Sequence, residues 1–155
     1  MTGEQTPTPD ADRVNVAFVC VQNAGRSQMA YAFARREMEE RGLEGDIGLL
    51  TGGTQPAAHV HDVVVDAMRE QGIDLSDRTP RAVTVGELQA ADIVITMGCS
   101  AGDICPSAWT GETRDWELDD PHGRPPGEVR DIRDEIRHRV ASLFDELLDD
   151  GAHSA

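Results

Sequence analysis

The sequence predicts a three-layer α/β/α fold built on a four-stranded parallel sheet. Three observations predict it. Short apolar runs at Val14–Val19, Ile47–Thr51 and Asp92–Met97 alternate with segments whose apolar residues recur every three or four positions, the pattern of successive βαβ units. The first run is almost continuously apolar, as strands buried on both faces of a parallel sheet are. Cys20, Cys99 and Asp120, the residues with chemistry to offer, each follow an expected strand. That puts them at the carboxyl edge, where open α/β sheets bind ligands. Right-handed crossovers should then cover both sheet faces with helices.

The elements follow in order. Residues 1–13 are polar, contain two prolines and lack an apolar core of the kind a signal peptide needs; they read as a tail. The first strand, Val14–Val19, leads through Cys20 to a helix over Ser27–Arg41, with Ala30, Phe33, Ala34 and Met38 on one face and Gly42 placed to end it. A second strand, Ile47–Thr51, is followed by a turn at Gly52-Gly53-Thr54-Gln55-Pro56. A second helix spans His61–Gln71, with Val64, Ala67 and Met68 facing inward. Ile73–Pro80 reads as loop, and Val85–Ala90 as one short helical turn. After the third strand, Gly98–Gly111 is a loop carrying Cys99 and Cys105. Arg114–Leu118 reads as a short edge strand, and Asp119–Gly127 as turns. The last helix has the clearest period, with Val129, Ile132, Ile136, Val140, Leu143 and Leu147 on one face and charge on the other. The expected single domain is 14–149, with 150–155 as a tail.

Composition narrows the partners. The chain has 155 residues and a formal charge of −15, from 29 acidic and 14 basic residues. Every one of those basic residues is Arg; there is no Lys. Such a surface repels nucleic acid and anionic membranes. It resembles that of a cytoplasmic protein adapted to extreme salt. No run of 18 apolar residues suggests a membrane span. Three cysteines without an export signal favour a reducing compartment and reactive thiols. A monomer is expected, with no cofactor and no metal: no Cys-x2-Cys is present, and His59 and His61 form only a lone His-x-His that reads as solvated.

The chemistry centres on Cys20-Val21-Gln22-Asn23-Ala24-Gly25-Arg26-Ser27. A thiol ends a strand, and five residues later an arginine begins a helix. Such a loop can aim several backbone N–H groups at one point, and the helix N-terminus adds partial positive charge. Arg26 could grip two oxygens of a bound oxyanion. A thiol beside a cation and a helix N-terminus ionises more readily than a free one. The arrangement suits attack on a tetrahedral oxyanion such as phosphate or arsenate. The competing reading is a buried, inert cysteine. Asp120, in Asp119-Asp120-Pro121, could protonate the departing oxygen, although Asp-Asp-Pro is also a common surface turn.

Cys-x5-Arg-Ser with a distant Asp-Pro resembles the low-molecular-weight protein tyrosine phosphatase family, over about Val14 to Leu148. Val19–Ala30 (Val-Cys-Val-Gln-Asn-Ala-Gly-Arg-Ser-Gln-Met-Ala) is most similar to its arsenate reductase branch. The resemblance implies the phosphatase fold, Cys20 as nucleophile, Val21, Gln22, Asn23, Ala24, Gly25, Arg26 and Ser27 as the oxyanion loop, and Asp120 as acid. Asn23 matches a structural asparagine, and Ser27 a hydroxyl that donates toward the sulfur. Gly25 stands where some arsenate reductases carry a second loop cysteine. Where some of them have an acidic residue that helps bind potassium, this chain has Tyr31.

The later cysteines separate the branches. Thioredoxin-coupled members use two further cysteines here. By that resemblance Cys99 would attack Cys20 and release arsenite, and Cys105 would attack Cys99, leaving a disulfide for thioredoxin. The spacing here is Cys-x5-Cys, one residue short of that pattern. Met-Gly-Cys with a later Cys-Pro also resembles the branch that uses a low-molecular-weight thiol such as mycothiol. Packing or metal binding remains open for both cysteines. Phosphotyrosine phosphatases of the family carry aromatics around the site, whereas His122-Gly123 follow Asp120-Pro121 here and the only Tyr is Tyr31. The expected function is arsenate reduction. A phosphoester hydrolase is the alternative, and a non-catalytic thiol sensor a third reading.

Overall fold

The computed structural model describes residues 14–98 and 111–154. The expected tail at 1–13 and both loop cysteines, Cys99 and Cys105, lie outside these residues. The elements are β1 (Val14–Cys20), α1 (Arg26–Glu40), β2 (Ile47–Gly53), α2 (Asp62–Arg69), α3 (Val85–Ala90), β3 (Ile93–Met97), β4 (Glu112–Asp115) and α4 (Pro126–Ser154). The sheet order is β2-β1-β3-β4. Every neighbouring pair is parallel, so the four strands end at one edge. Among the described residues, no helix is long and apolar enough to cross a membrane.

Alternation along the strands divides the core in two. Val16 and Phe18 of β1 join Ile93, Ile95 and Met97 of β3 in one cluster with Met29 and Phe33 of α1, Val64 and Met68 of α2, and Ile136, Val140 and Phe144 of α4. Ala17, Val19 and Val94 face the other way, onto Leu88 of α3 and Ala91. Among the described residues both faces are covered, as expected, but unequally: α1, α2 and α4 on one, the short α3 on the other. Each large side chain fully buried in the first cluster contributes roughly 1.5–3 kcal/mol. The small cluster makes α3 the weaker attachment. Its compensation is a capping box, with Thr84 and Glu87 each accepting from the other's backbone N–H.

Boundaries moved where tertiary contacts override local signals. β2 runs on through Gly52 and Gly53, which the sequence suggests as turn. Gly53 pairs with Cys20, and a Cβ there would lie 2.5 Å from the Val21 carbonyl oxygen. Glycine at this point lets the strand continue under the loop. β4 begins at Glu112, two residues before the expected start, and stops at Asp115. α2 is shorter than expected at both ends. α4 begins with Pro126, a residue preorganised for the first helical turn, and continues to Ser154 rather than stopping near 149. Extending a formed helix costs little once it is nucleated.

α2 is fastened to α4 by charge. Glu70, just past α2, accepts hydrogen bonds from Arg130 and Arg133. Those bonds, Arg130's first, pull its carboxyl down to about 2. Arg133 also donates to the Ala67 carbonyl at 2.9 Å.

Candidate active site

Register brings the site together. Cys20 is the last residue of β1, paired with Gly53 of β2 on one side and Met97 of β3 on the other. The chain then leaves the sheet as the loop 21–25 and enters α1 at Arg26. The carbonyls of Cys20, Val21, Gln22 and Ala24 accept hydrogen bonds from the N–H groups of Thr54, Gln55, Ala57 and His61, at 2.8–3.2 Å. A planar trans peptide points its C=O and N–H in opposite directions. Turning these carbonyls out toward residues 54–61 therefore turns the N–H groups of Val21, Gln22, Asn23 and Gly25 inward. Asn23 shows the outcome, its N–H lying 3.1 Å from the Cys20 sulfur.

Asn23 holds this shape. It is fully buried and has φ 52°, the left-handed region that Asn tolerates better than most residues. Its side-chain N–H groups donate to Ser27 Oγ (2.8 Å) and Thr51 Oγ1 (3.0 Å). Its Oδ1 accepts from Gln28 Nε2 and from the Arg81 backbone N–H, both at 3.1 Å. Ser27 Oγ accepts from Asn23 and lies 2.8 Å from the Cys20 sulfur; a thiolate there, which can only accept, would take the Ser27 proton. The sulfur thus has a backbone N–H and a hydroxyl within hydrogen-bond distance.

Arg26 and Asp120 stand over this thiol. Arg26 Nη1 donates to the Leu118 carbonyl at 2.9 Å, and its Nη2 lies 3.8 Å from Asp120 Oδ2. The guanidinium lies against Gly98, where a Cβ would come within 2.6 Å of it; Gly98 also has φ +82°. The positive φ favours glycine just after β3, and a Cβ there would displace the guanidinium. Asp120 accepts from the His122 backbone N–H at 3.0 Å. Pro121 packs on the loop, its Cγ 3.1 Å from where a Gly25 Cβ would be. Gly25 in place of a larger residue thus lets the Asp-Pro turn close on the loop.

A cavity of about 300 Å³ is lined by Cys20, Val21, Gln22, Ala24, Gly25, Arg26, His61, Gly98 and Asp120. It brings together the sequence-predicted thiol, loop, arginine and carboxylate; Asn23 and Ser27 lie behind the thiol. Asp119 is exposed and outside the lining. Among the described residues, no three His, Cys, Asp or Glu side chains gather closely enough to hold a metal ion.

Several functional neighbours were not anticipated. His61 is half-buried rather than solvated: it bonds to the Gln22 side chain at 3.1 Å and stacks on His122 at 4.3 Å. Burial first, then the His122 charge, push it below its usual value. Thr51, Gln28 and Arg81 buttress Asn23 from three separate segments. Tyr31, expected only as a departure from an acidic residue, carries the Arg78 guanidinium over its ring at 4.7 Å. The polar Thr51 in an apolar strand was a readable signal; the histidine pair, 61 residues apart in sequence, had none.

Residues 15–153 match the profile of the low molecular weight phosphotyrosine protein phosphatase family. A Halobacterium salinarum protein provisionally named arsenate reductase is 58% identical over 133 residues, covering 86% of this chain and 92% of that one. A thioredoxin-dependent arsenate reductase of Corynebacterium glutamicum superposes with TM-score 0.72 at 32% identity. The match covers 90% of this chain and 64% of that longer one. An arsenate reductase solved in a phosphate-binding state superposes with TM-score 0.72 at 30% identity, covering 86% and 98% of the two chains.

Proposed function

We infer that this chain, which belongs to the low-molecular-weight phosphotyrosine protein phosphatase family, is an arsenate reductase. The observation that carries the reading is the shared cavity of Cys20, Arg26, inward loop N–H groups and Asp120. The relatives named for arsenate reduction supply the oxyanion. Among the described lining residues there is no Phe, Tyr or Trp to stack a phenyl ring, which favours a bare oxyanion over a phosphotyrosine.

The proposed steps use groups in these positions. Arsenate occupies the loop, its oxygens taking the inward N–H groups of Val21, Gln22 and Gly25 and the Arg26 fork. The Cys20 thiolate attacks arsenic, and Asp120 protonates the departing oxygen, which leaves as water. A second thiolate, proposed to be Cys99, attacks the Cys20 sulfur. A Cys20–Cys99 disulfide forms, and arsenic keeps the pair of electrons of the broken S–As bond as arsenite. Cys105 then attacks Cys99, freeing Cys20 and leaving Cys99–Cys105 for an external reductant. That reductant is a thioredoxin-like protein or a small thiol; in the second case the small thiol does the work assigned to Cys99. The chain is proposed to act as a monomer in a salt-rich, reducing cytoplasm, without a bound cofactor; its Lys-free acidity and its Halobacterium relative support the salt.

The second reading, phosphoester hydrolysis through a phosphocysteine, is favoured by Asp120 and the same cradle, which fit phosphate equally well. One experiment separates them: arsenite formation, with thioredoxin and separately with a small thiol, beside hydrolysis of an aryl phosphate. Cys99→Ser is expected to spare the hydrolysis and block thioredoxin-driven reduction. Aryl phosphate turnover without any arsenite would overturn the reductase reading.

A further inference from the structure

One set of hydrogen bonds reaches from the Cys20 sulfur through the protein to the far side of α1. Arg78 Nε donates to Gln28 Oε1 at 3.3 Å. Gln28 Nε2 donates to Asn23 Oδ1 at 3.1 Å, and Asn23 Nδ2 to Ser27 Oγ at 2.8 Å. The Ser27 hydroxyl meets the Cys20 sulfur at 2.8 Å. Neither amide can be turned round. Gln28 Nε2 faces two acceptors, Asn23 O and Oδ1, while its oxygen faces a guanidinium. Asn23 Oδ1 faces the Arg81 N–H. Arg78, Gln28 and Asn23 therefore all donate in the direction of the sulfur, and a Cys20 thiolate, which can only accept, would take the Ser27 proton as the last link.

We propose that Arg78 is a positioning residue for the reaction, polarising the chain Gln28–Asn23–Ser27 from behind so that the Cys20 thiolate is favoured. Chains of aligned hydrogen bonds strengthen one another in a low-dielectric interior. Gln28, Asn23 and Ser27 are fully buried, so salt screens this path little. The Tyr31 ring holds the guanidinium in place, 4.7 Å from its centroid. Charged groups sharing a surface pocket with Arg78 are Arg35, Arg36 and Glu39 of α1 and Asp74 before it, and Arg81 meets the same network, its N–H on Asn23 Oδ1 and its guanidinium on the Thr51 carbonyl. Those around the sulfur are Arg26, His61 and Asp120. A surface of net charge −15 opposes any thiolate; a half-buried cation acting through buried, oriented amides counters it.

The inference rests on Cys20 as the attacking thiol. It is tested on the thiol itself, so its failure and that of the arsenate reading remain distinct. The pH profile of iodoacetamide alkylation is measured on the Cys20 peptide by mass spectrometry, in full-length folded protein. His61 is present in every variant, so differences between variants report the thiol. Arg78→Met keeps a stem over Tyr31 and removes charge and donor. It is expected to move the midpoint up by about 0.5–1 pH unit, or roughly 3- to 10-fold slower alkylation on the acidic limb. Arg78→Lys, which keeps the cation, is expected to recover at least half of that shift. Gln28→Leu cuts the same path with Arg78 intact and tests it independently of how Arg78→Met folds; it should give a similar shift. The double variant should shift no further than the larger single one, because the two act in series. An Arg78→Met profile lying on the wild-type curve, an Arg78→Lys profile as displaced as Arg78→Met, or fully additive shifts would each overturn the proposal.

Discussion

Replacing Asn23 separates what its side chain does from what its backbone does. Asn23→Gly deletes four side-chain bonds, to Ser27, Thr51, Gln28 and the Arg81 N–H. At about 0.5–1.5 kcal/mol each, the loss is roughly 2–6 kcal/mol, a large part of the roughly 5–15 kcal/mol that holds a domain together. Asn23→Ala loses the same bonds and adds a Cβ at φ 52°. The left-handed conformation costs an alanine about 1–2 kcal/mol, partly offset because glycine loses more chain entropy on folding. Alanine is thus expected to be the less stable variant by about 1 kcal/mol. Urea unfolding of wild type, Asn23→Gly and Asn23→Ala measures both quantities. In both variants Ser27 loses the amide that holds its hydroxyl beside the sulfur, so kcat is expected to fall with stability. Equal midpoints for all three proteins, or alanine above glycine, would refute the assignment of Asn23 as the strained keystone of the loop.

Other expectations follow from single contacts. Gly98→Ala places a Cβ 2.6 Å from the Arg26 guanidinium at φ +82°; it should cost about 1–2 kcal/mol of stability and lower kcat/KM roughly tenfold or more by displacing Arg26, measured by unfolding and steady-state kinetics. Asp120→Asn should lower kcat by about 10²–10⁴ with either oxyanion; an unchanged kcat would remove Asp120 from the proposed mechanism. Glu70 is held at about 2 by Arg130 and Arg133, below its unfolded value, so its stabilisation is present above about 4.5 and is lost as pH falls toward 2. Glu70→Gln should therefore be destabilised relative to wild type at pH 7 and converge with it on acidification, and a gap that persists at low pH would contradict the ion-pair account.

The site was legible where its residues are close in sequence. Cys20, the loop and Arg26 lie within seven residues of each other, and the strand before and helix after fix their relation. Asp120 was legible through Asp-Pro, although its position over the thiol depends on Pro121 packing at Gly25. Residues that act through the sheet were not legible. Thr51 reaches Asn23 only because β2 pairs with β1 in a register that sets it opposite Phe18. Arg81 and Arg78 arrive through a loop with no periodicity. Gly52 and Gly53 read as a turn because glycine signals a turn more often than a strand passing beneath a tight loop. The face that each described helix covers was likewise hidden, since helix periods do not say which face a helix takes.

The central claim is that Cys20 turns arsenate into arsenite. Its most direct test is arsenite formed from arsenate by wild type and by Cys20→Ser, in high salt with a thiol reductant, both proteins checked for native unfolding midpoints. The account predicts sustained turnover by wild type and none above the uncatalysed background for Cys20→Ser. Equal arsenite production by the two proteins would contradict it.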